Sequence, residues 1–284
     1  MNRCVRTVWN VELQTRKYLG LPFKLEKNTT LNERFDIQVD AVPFPMEMPE
    51  LNVYSLGIGG HAMTMSTYGI GYSDPVQFKS TAASPYKPMP FVLRELTNDL
   101  SPSERDAYCL RKIEIHDGVN YFAYYGKRID KTNIEPIKQY IVKREDGTEE
   151  VTSYTADATN LSPIPPDILN TGVNILNEEY IRVASIITIP FNSFDAEEYR
   201  NVSNILFSTP KLAIISEIVL SSSIDRVIET DGMGGSKINF KEVIACQPSL
   251  FSNYFNSAYE QELGFDITLD IGATEPLFVY APVV

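Results

Sequence analysis

Histidine and cysteine carry out much of the nucleophilic and metal-binding chemistry of proteins, and this chain contains few of either. Its two histidines are His61 and His116, and its three cysteines are Cys4, Cys109 and Cys246. A hydrolase triad needs a base that shuttles protons near neutral pH, most often histidine, and no G-x-S-x-G motif is present. No CxxC or other local ligand pair occurs that would favour zinc. The sequence therefore predicts three reduced thiols and no catalytic residue, cofactor or bound metal.

The glycine-rich segment at residues 57–62 formally fits a dinucleotide-binding motif. It reads GIGGHA, matches G-x-G-x-x-A, and follows a strand-like stretch at residues 51–56. A dinucleotide site needs those glycines to open a helix whose first turn meets the pyrophosphate. Residues 63–69, MTMSTYG, are poor helix formers, and no β-α-β alternation follows. We interpret the segment as a glycine-rich turn, with the nucleotide site as the alternative.

Paired carboxylates are numerous and keep two further kinds of site open. A glycosidase needs two carboxylates about 5–10 Å apart in a cleft, and the chain has 16 tyrosines for its walls but one tryptophan. Calcium could bind Asp225, Glu229 and Asp231, although their spacing is not that of an EF-hand loop. Most acidic residues are expected on a solvated surface. The pairs are Asp266 with Asp270, Glu197 with Glu198, Glu149 with Glu150, and Glu229 with Asp231.

Length and composition describe a folded protein with an acidic surface. The chain has 284 residues, of which 43% are hydrophobic and 22% charged, and its formal net charge is −12. This length allows one large domain or two small ones. The negative charge disfavours a nucleic-acid-binding surface, because duplex binding depends on Lys and Arg. Charged residues interrupt the apolar windows near the N-terminus and later apolar stretches are short, so neither a signal peptide nor membrane insertion is predicted.

Charge and proline positions divide the chain into three predicted parts. Residues 1–34 contain seven Lys or Arg against three Asp or Glu, whereas residues 151–284 contain six against 17. Pro43, Pro45 and Pro49 prevent a helix or a central strand around them. We predict an extended N-terminal arm at 1–50 that lies away from the core, a first α+β part at 51–160 with a glycine-rich loop and two hairpins, and a second α+β part at 161–284, the halves meeting at the proline cluster 162–166.

Cap and turn signals predict the elements of the first half. Ser101, Pro102 and Glu104 fit a capping box that opens a helix running to about Arg111. An Asp-Gly pair at 117–118, flanked by alternating apolar residues, predicts a hairpin. A second hairpin is predicted around residues 144–147, with arms at 139–143 and 148–155.

Periodicity predicts the elements of the second half. We expect a helix capped by Ser193 or Asp195, and another helix at 249–262 because aromatic residues there are spaced for one face. The first helix would bury Tyr199, Val202, Ile205 and Leu206, and the second would align Phe251, Tyr254, Phe255 and Tyr259. Strands are predicted at 180–190, 212–220 and 265–271. The predicted fold class is α+β, rich in strands with antiparallel hairpins and a few amphipathic helices.

Two segments have the composition of contact surfaces, namely the glycine-rich segment at residues 57–71 and the basic N-terminal arm. Glycine lets a backbone approach another surface closely, and Tyr and Met provide stiff and adaptable contact area. The basic arm around Trp9 carries charge complementary to an acidic neighbour. We predict that both segments bury surface between chains, and packing within their own subunit is the alternative. The predicted contact residues are Arg3, Arg6, Trp9, Arg16, Lys17, Tyr54, His61, Met63, Met65, Tyr68 and Tyr72.

One block of the sequence carries a resemblance to a known class of proteins. It comprises residues 90–100, PFVLRELTNDL, followed by Glu104, Arg105, Tyr108, and the segments 110–112 and 121–125. Residues 59–61, 170–174 and 269–277 fit the same pattern. Over roughly residues 57–277 the chain thereby resembles virion structural proteins of large contractile-tailed bacteriophages, and residues 1–50 carry no part of the resemblance.

The resemblance implies a non-enzymatic structural subunit of the neck, tail or baseplate. Such a subunit would be made in the host cytoplasm and located in the virion. Its partners would be other virion proteins and copies of itself, without direct contact to nucleic acid. A head decoration protein, a carbohydrate-active enzyme and a surface-binding adhesin module are the alternatives, and the absence of fibre-like repeats disfavours the adhesin.

Overall fold

The chain forms two compact units, each assembled from two separate stretches of sequence. The computed structural model describes residues 4–23, 25, 45–66, 69–158, 173–231 and 237–281. Unit 1 comprises Met1–Asp130 and Pro190–Phe265, and unit 2 comprises Lys131–Ile189 and Asp266–Val284. The proline cluster at 162–166, which the sequence predicts as the boundary between sequential halves, lies outside the described residues.

Strands dominate the described residues, as predicted. Within the described residues the named helices are α1 (Val8–Leu19), α2 (Pro102–Arg105) and α3 (Ser193–Phe207), and a 3₁₀ turn lies at Pro210–Leu212. The strands are β1 (Cys4–Arg6), β2 (Glu50–Gly57), β3 (His61–Ser66), β4 (Gly69–Pro75), β5 (Pro88–Met89), β6 (Val92–Glu95), β7 (Tyr108–His116), β8 (Val119–Arg128), β9 (Ile137–Lys143), β10 (Glu149–Ser153), β11 (Val173–Asn192), β12 (Ile214–Asp231), β13 (Lys237–Ser257) and β14 (Gly264–Ala281). No helix among these is long and apolar enough to cross a membrane.

An eight-stranded antiparallel sheet forms the centre of unit 1. Its path runs β1, β13, β12, β2, β8 and β6, with β5 also paired to β2 and β7 to β8. Residues 213–224 of the central region are buried without interruption. A strand covered on both faces lacks the alternation of apolar and polar residues, which explains the consecutive apolar residues of β12 at 214–215 and 218–220. The predicted strand at 212–220 is confirmed.

The N-cap of helix α3 is Asn192, one residue before Ser193 and three before Asp195, the two predicted caps. The Asn192 side chain accepts a hydrogen bond from the Asp195 backbone, and the Asp195 carboxylate accepts one from the Asn192 backbone. This reciprocal arrangement satisfies two backbone donors that the first helical turn would otherwise leave unpaired. Tyr199 and Val202 of the predicted apolar stripe are fully buried, so the predicted helix and its inward face are confirmed.

Helix α2 has the predicted capping box but ends six residues earlier than predicted. The Ser101 side chain accepts a hydrogen bond from the Glu104 backbone, and the Glu104 carboxylate accepts one from the Ser101 backbone. The helix stops at Arg105 because β7 begins at Tyr108 and pairs with β8. Pairing with the sheet buries residues 108–110 and overrides the local helical signal.

The two predicted hairpins are confirmed. Strands β7 and β8 are joined by Asp117 and Gly118, whose φ angles are 49° and 79°. Positive φ at both central residues is what a two-residue type I′ hairpin turn requires. Strands β9 and β10 pair from Lys143 opposite Glu149, and Gly147 in their turn also has a positive φ of 82°.

The helix predicted at 249–262 is wrong. Residues 249–257 belong to β13, which pairs with β12 on one side and with β1 on the other. Phe251 stacks on Phe78 with ring centroids 5.1 Å apart, and Tyr254 stacks on Phe265 at 6.3 Å. The aromatic spacing is compatible with a helix, but hydrogen bonding along both strand edges favours the extended conformation.

The prediction that residues 1–50 lie away from the core is wrong for the part of this segment that the structure describes. Strand β1 pairs with β13, and the Thr7 hydroxyl donates a hydrogen bond to the Pro248 carbonyl at 2.7 Å. A buried cluster joins the segment to both long strands of the sheet. Its members are Leu13, Phe23, Leu25, Met46, Ile224 and Ala245. Burial of this apolar area stabilises the segment on its own unit.

Unit 2 is built on a four-stranded sheet in the order β10, β9, β11 and β14. Ile141, Ala184 and Ile267 are buried in it. Gly272 of β14 lies so close to its neighbour that a Cβ atom there would lie 2.2 Å from the Val183 carbonyl oxygen. Arg182 and Asp270 form an ion pair across the same two strands. The strands predicted at 180–190 and 265–271 are confirmed as parts of β11 and β14.

Candidate assembly surfaces

The glycine-rich segment packs against its own sheet. A Cβ atom at Gly60 would lie 1.8 Å from the Ser216 carbonyl oxygen, and one at Gly59 would lie 2.7 Å from the Lys87 backbone nitrogen. Both distances are far below ordinary contact distance, so only glycine fits there. The close approach predicted from these glycines therefore occurs within the subunit. The segment continues into strand β3 rather than a helix, which excludes the dinucleotide-binding interpretation.

A buried carboxylate on β12 binds both the glycine-rich segment and the proline-rich connector at residues 84–90, SPYKPMP. Glu217 is fully buried, and its Oε1 accepts hydrogen bonds from the backbone N–H groups of Gly59 at 3.2 Å and Lys87 at 2.8 Å. Its Oε2 accepts a third from the Tyr86 N–H at 3.1 Å. A buried carboxylate is stabilised by such backbone donors. Glu217 therefore serves as a structural anchor for two loops.

Tyr54 and His61 are held within their own subunit. Tyr54 is fully buried, with its ring 5.3 Å from Phe91 in an edge-to-face arrangement. Its predicted role as a contact residue is wrong, because it lies in the core. His61 is half-buried, and its ring lies 5.6 Å from that of Phe255. Burial lowers the pKa of His61, which favours the neutral ring near neutral pH.

The remaining predicted contact residues of this segment lie on or beside one hairpin. Strands β3 and β4 pair with Met63 opposite Tyr72 and Met65 opposite Ile70. Tyr68 lies outside the described residues. The hairpin contact between chains stays a prediction.

The predicted contact residues of the N-terminal segment differ in exposure. Trp9 donates a hydrogen bond from Nε1 to the Ala82 carbonyl at 3.2 Å, so it anchors α1 to its own unit. Arg16 pairs with Glu12 at 2.7 Å. Arg6 and Lys17 are exposed, and Arg3 lies outside the described residues.

Helix α1 presents an apolar stripe to solvent that the sequence interpretation missed. Leu13 faces the sheet and is buried, whereas Tyr18 is 90% exposed and Leu19 60% exposed. The stripe consists of Val8, Val11, Tyr18, Leu19 and, just beyond the helix, Leu21. Spacings of three residues from Val8 to Val11 and of seven from Val11 to Tyr18 were the available signal, but they do not reveal which face of the helix is buried.

An open groove lies beside the outward face of α3. Its volume is about 700 Å³, and its walls are Glu197, Arg200, Asn201, Asn204, Pro210, Tyr259 and Glu262. The turn that forms one wall, residues 259–263, is exposed throughout, and Leu263 in it is 90% exposed. Arg200 lies 3.7 Å from Glu262. The groove is therefore polar along the helix and combines acidic and apolar groups along the turn.

Under α3 lies a buried polar cluster that ties the helix to the sheet. The Asp195 carboxylate is fully buried and accepts hydrogen bonds from Lys127 Nζ at 2.6 and 2.7 Å and from the Tyr108 hydroxyl at 2.8 Å. Burial, with the nearby Asp195 charge, raises the pKa of Tyr108. Arg94 binds Glu198 of the same helix through both guanidinium nitrogens. Because Asp195 has no solvent access, these groups hold α3 in place rather than meet a substrate.

Two of the three groups considered for calcium binding, Asp225 and Glu229, pair with cationic side chains. Asp225 binds Arg128 at 3.0 and 3.2 Å, and Glu229 pairs with Lys237 at 3.2 Å. No cluster of three His, Cys, Asp or Glu side chains is arranged around a metal position within the described ranges. All three cysteines are free thiols, and burial raises the pKa of Cys246 to about 12.

Comparison with known proteins gives a family but no function. A family model matches residues 1–283, and it is described as a family of unknown function (DUF7208). Neither the curated proteins nor the solved structures contain a match to this chain.

Proposed function

We propose that this chain, which belongs to the DUF7208 family, is a non-enzymatic structural subunit of a tailed-bacteriophage particle. It acts in the neck, tail or baseplate by assembling with copies of itself and with other virion proteins, and it is located in the virion after synthesis in the host cytoplasm. The sequence resemblance in residues 90–125 supplies the class of protein. The observation that carries the proposal is the exposed apolar stripe of α1.

The α1 stripe has the character of an interaction surface. Tyr18 and Leu19 project from the end of the helix beside Leu21, and Val8 and Val11 are exposed on the same face nearer its start, with exposed Thr15 between the two groups. Exposed apolar patches bordered by charge mark sites of association, and the apolar residues of this stripe are grouped most closely at the helix end. Lys17 and Arg6 provide that border. A helix anchored on one face and apolar on the other is suited to joining subunits.

The residues that carry the resemblance support a structural role. Within the block, Arg94 and Tyr108 bind carboxylates of α3, and Tyr124 donates a hydrogen bond to Asp99 at 2.6 Å. Asp99 also accepts one from Arg111 at 3.2 Å. These side chains fix the helix and loops to the sheet. What the block specifies is therefore the packing of the fold.

The α3 groove favours one alternative function. The groove is lined by two carboxylates and an aromatic ring, those of Glu197, Glu262 and Tyr259. Carbohydrate-active sites commonly combine two carboxylates in this way. The test is whether the purified protein releases reducing sugar from a host surface polysaccharide. Release that Glu197→Gln abolishes would favour this alternative over a purely structural role.

Mass spectrometry of purified particles tests the proposed function. The chain should be present at a constant ratio to the major capsid protein across the particle peak of a density gradient. An abundant host protein followed through the same fractions controls for carry-over. A chain that is present in infected-cell lysate but absent from the particle peak would contradict the proposal.

A further inference from the structure

We propose that copies of this chain bind one another head to tail, with the end of α1 from one copy seated in the α3 groove of the next. The first surface is the α1 tip, residues 17–21, which reads KYLGL. The second is the acidic turn, residues 259–263, which reads YEQEL and forms one wall of the groove. This contact rests on the proposed function and deepens it by naming the partner, and its two surfaces both belong to unit 1.

The α1 tip is exposed but firmly held. Gly20 ends the helix in the left-handed conformation with φ 64°, and the Leu21 N–H donates to the Arg16 carbonyl at 2.9 Å. Arg16 also donates from Nη1 to the Pro22 carbonyl at 3.1 Å. These bonds form a closed helix end that fixes the backbone at Tyr18 and Leu19. Because the backbone is already ordered, binding through this end loses little backbone conformational entropy.

The acidic turn is exposed and held in the same way. The Ala258 N–H donates to the Ala213 carbonyl at 2.8 Å, and the Gly264 N–H donates to the Gln261 carbonyl at 3.1 Å. Gly264 has φ 84°, and a Cβ atom there would lie 2.1 Å from the Phe191 carbonyl oxygen. The turn is therefore fixed at both ends, while Tyr259 and Leu263 project into solvent.

The two surfaces complement each other in charge and in apolar character. Lys17 borders the tip. Glu260 and Glu262 lie within the turn and Glu197 lines the groove, so these three carboxylates outnumber Arg200, which pairs with Glu262. Opposite charge beside matched apolar groups guides partners together and fixes their orientation. Within one chain neither surface covers the other, since Tyr18 and Leu263 are each 90% exposed. The occupant of the groove is therefore assigned to a second copy.

Contact between two different surfaces has a specific consequence for assembly. Each copy carries one tip and one groove, so a bound pair still presents a free tip and a free groove. Such heterologous contacts continue into a ring if the rotation closes and into a helical filament if it does not. Both forms suit a repeated component of a tubular particle.

Sedimentation of the purified full-length chain tests the contact. The wild-type protein should form dimers and larger species as its concentration rises from about 1 μM to about 100 μM. Tyr18→Ser with Leu19→Ser removes the tip, and Tyr259→Ser with Leu263→Ser removes the apolar part of the turn. Each double variant should raise the dissociation constant roughly tenfold or more. Because all four side chains are exposed, the melting temperatures should stay near that of the wild type.

Mixing the two variants separates a head-to-tail contact from a symmetric one. The intact groove of the tip variant can bind the intact tip of the turn variant, so an equimolar mixture should form heterodimers. These heterodimers should not grow further, because the tip and the groove that remain free are both altered. Ile115→Ser is the matched control, since Ile115 is 68% exposed on β7 and should leave association unchanged. A monomeric wild type, a mixture that stays monomeric, or an equal effect of the control would overturn the contact. Particle mass spectrometry is independent of this result, so failure of the contact and failure of the proposed function are distinguishable.

Discussion

A Cβ atom at Gly60 would lie 1.8 Å from the carbonyl oxygen of Ser216. The approach places the glycine segment directly on the central strand, where the Gly60 N–H also donates to the Ser216 hydroxyl at 2.9 Å and the Gly60 carbonyl accepts from Asn253 at 2.6 Å. Every backbone group of this residue therefore has a partner within unit 1. The segment that a motif search would assign to phosphate binding is part of the core.

Gly60→Ala should destabilise the protein by about 3 kcal/mol or more, because the added methyl group must displace backbone atoms of β12. Urea unfolding measures the change in free energy. Gly147→Ala is the control, since nothing lies within 4 Å of its Cβ position. Because residue 147 has a positive φ, alanine there should lower the free energy of unfolding by about 1–2 kcal/mol. If Gly60→Ala were as stable as the wild type, the close approach to Ser216 would be refuted.

Glu217→Gln should destabilise the protein by about 2–3 kcal/mol. The substitution replaces a charged acceptor of three backbone N–H groups with an amide whose NH₂ group faces a donor. The control Glu150→Gln alters an exposed ion pair with Arg144 and should change the free energy of unfolding by less than about 1 kcal/mol. Equal effects of the two substitutions would show that Glu217 is not the anchor of the two loops.

Lys127→Met should destabilise the protein by about 3–5 kcal/mol, because it leaves the fully buried Asp195 carboxylate without its cation. Adding Asp195→Asn should recover part of that loss, and a double-mutant cycle measures the coupling. Asn can still accept from the Asn192 backbone at the start of α3. The exposed pair Lys143–Glu149 serves as a control, with expected coupling below about 1 kcal/mol. Additive effects at Lys127 and Asp195 would contradict the buried ion pair.

Stability should fall with rising pH above 9 in a way that depends on Cys246. Burial raises the thiol pKa from 9.0 to about 12, so the folded state keeps a proton that the unfolded state releases. The contribution of the protonated Cys246 thiol to the free energy of unfolding is complete below pH 9. It is lost as the pH rises toward 12, at about 1.4 kcal/mol per pH unit. Comparing urea unfolding of wild type and Cys246→Ala from pH 8 to 11 isolates it. Parallel pH profiles for the two proteins would contradict this account.

Local signals in the sequence predicted the elements whose structure is decided locally. The capping box at Ser101 and Glu104 and the Asp-Gly turn at 117–118 depend on neighbouring residues, and both are present. The predicted helix at 249–262 failed because pairing with β12 and β1 decides its conformation. Its partner in β1 is more than 240 residues away along the chain, and no local pattern reports such a contact.

The candidate surfaces were predicted less well than the fold, for a physical reason. Tyr54 was chosen for its residue type, which suits an interface and a core equally, and the structure buries it. The α1 stripe was visible as a periodicity, but Leu13 on the opposite face is also apolar. Which face of α1 is buried depends on the pairing of strand β1 with β13 and on the hydrogen bond from Trp9 to Ala82. Both contacts join residues that are distant along the chain.

A density map of the purified particle should show repeated copies of the eight-stranded sheet of unit 1. Tyr18 and Leu19 of each copy should be buried against a neighbouring subunit. Their present exposures of 90% and 60% should fall to those of buried side chains. A map without this sheet, or one in which the α1 stripe of every copy faces solvent, would contradict the claim that the chain acts by assembly through α1.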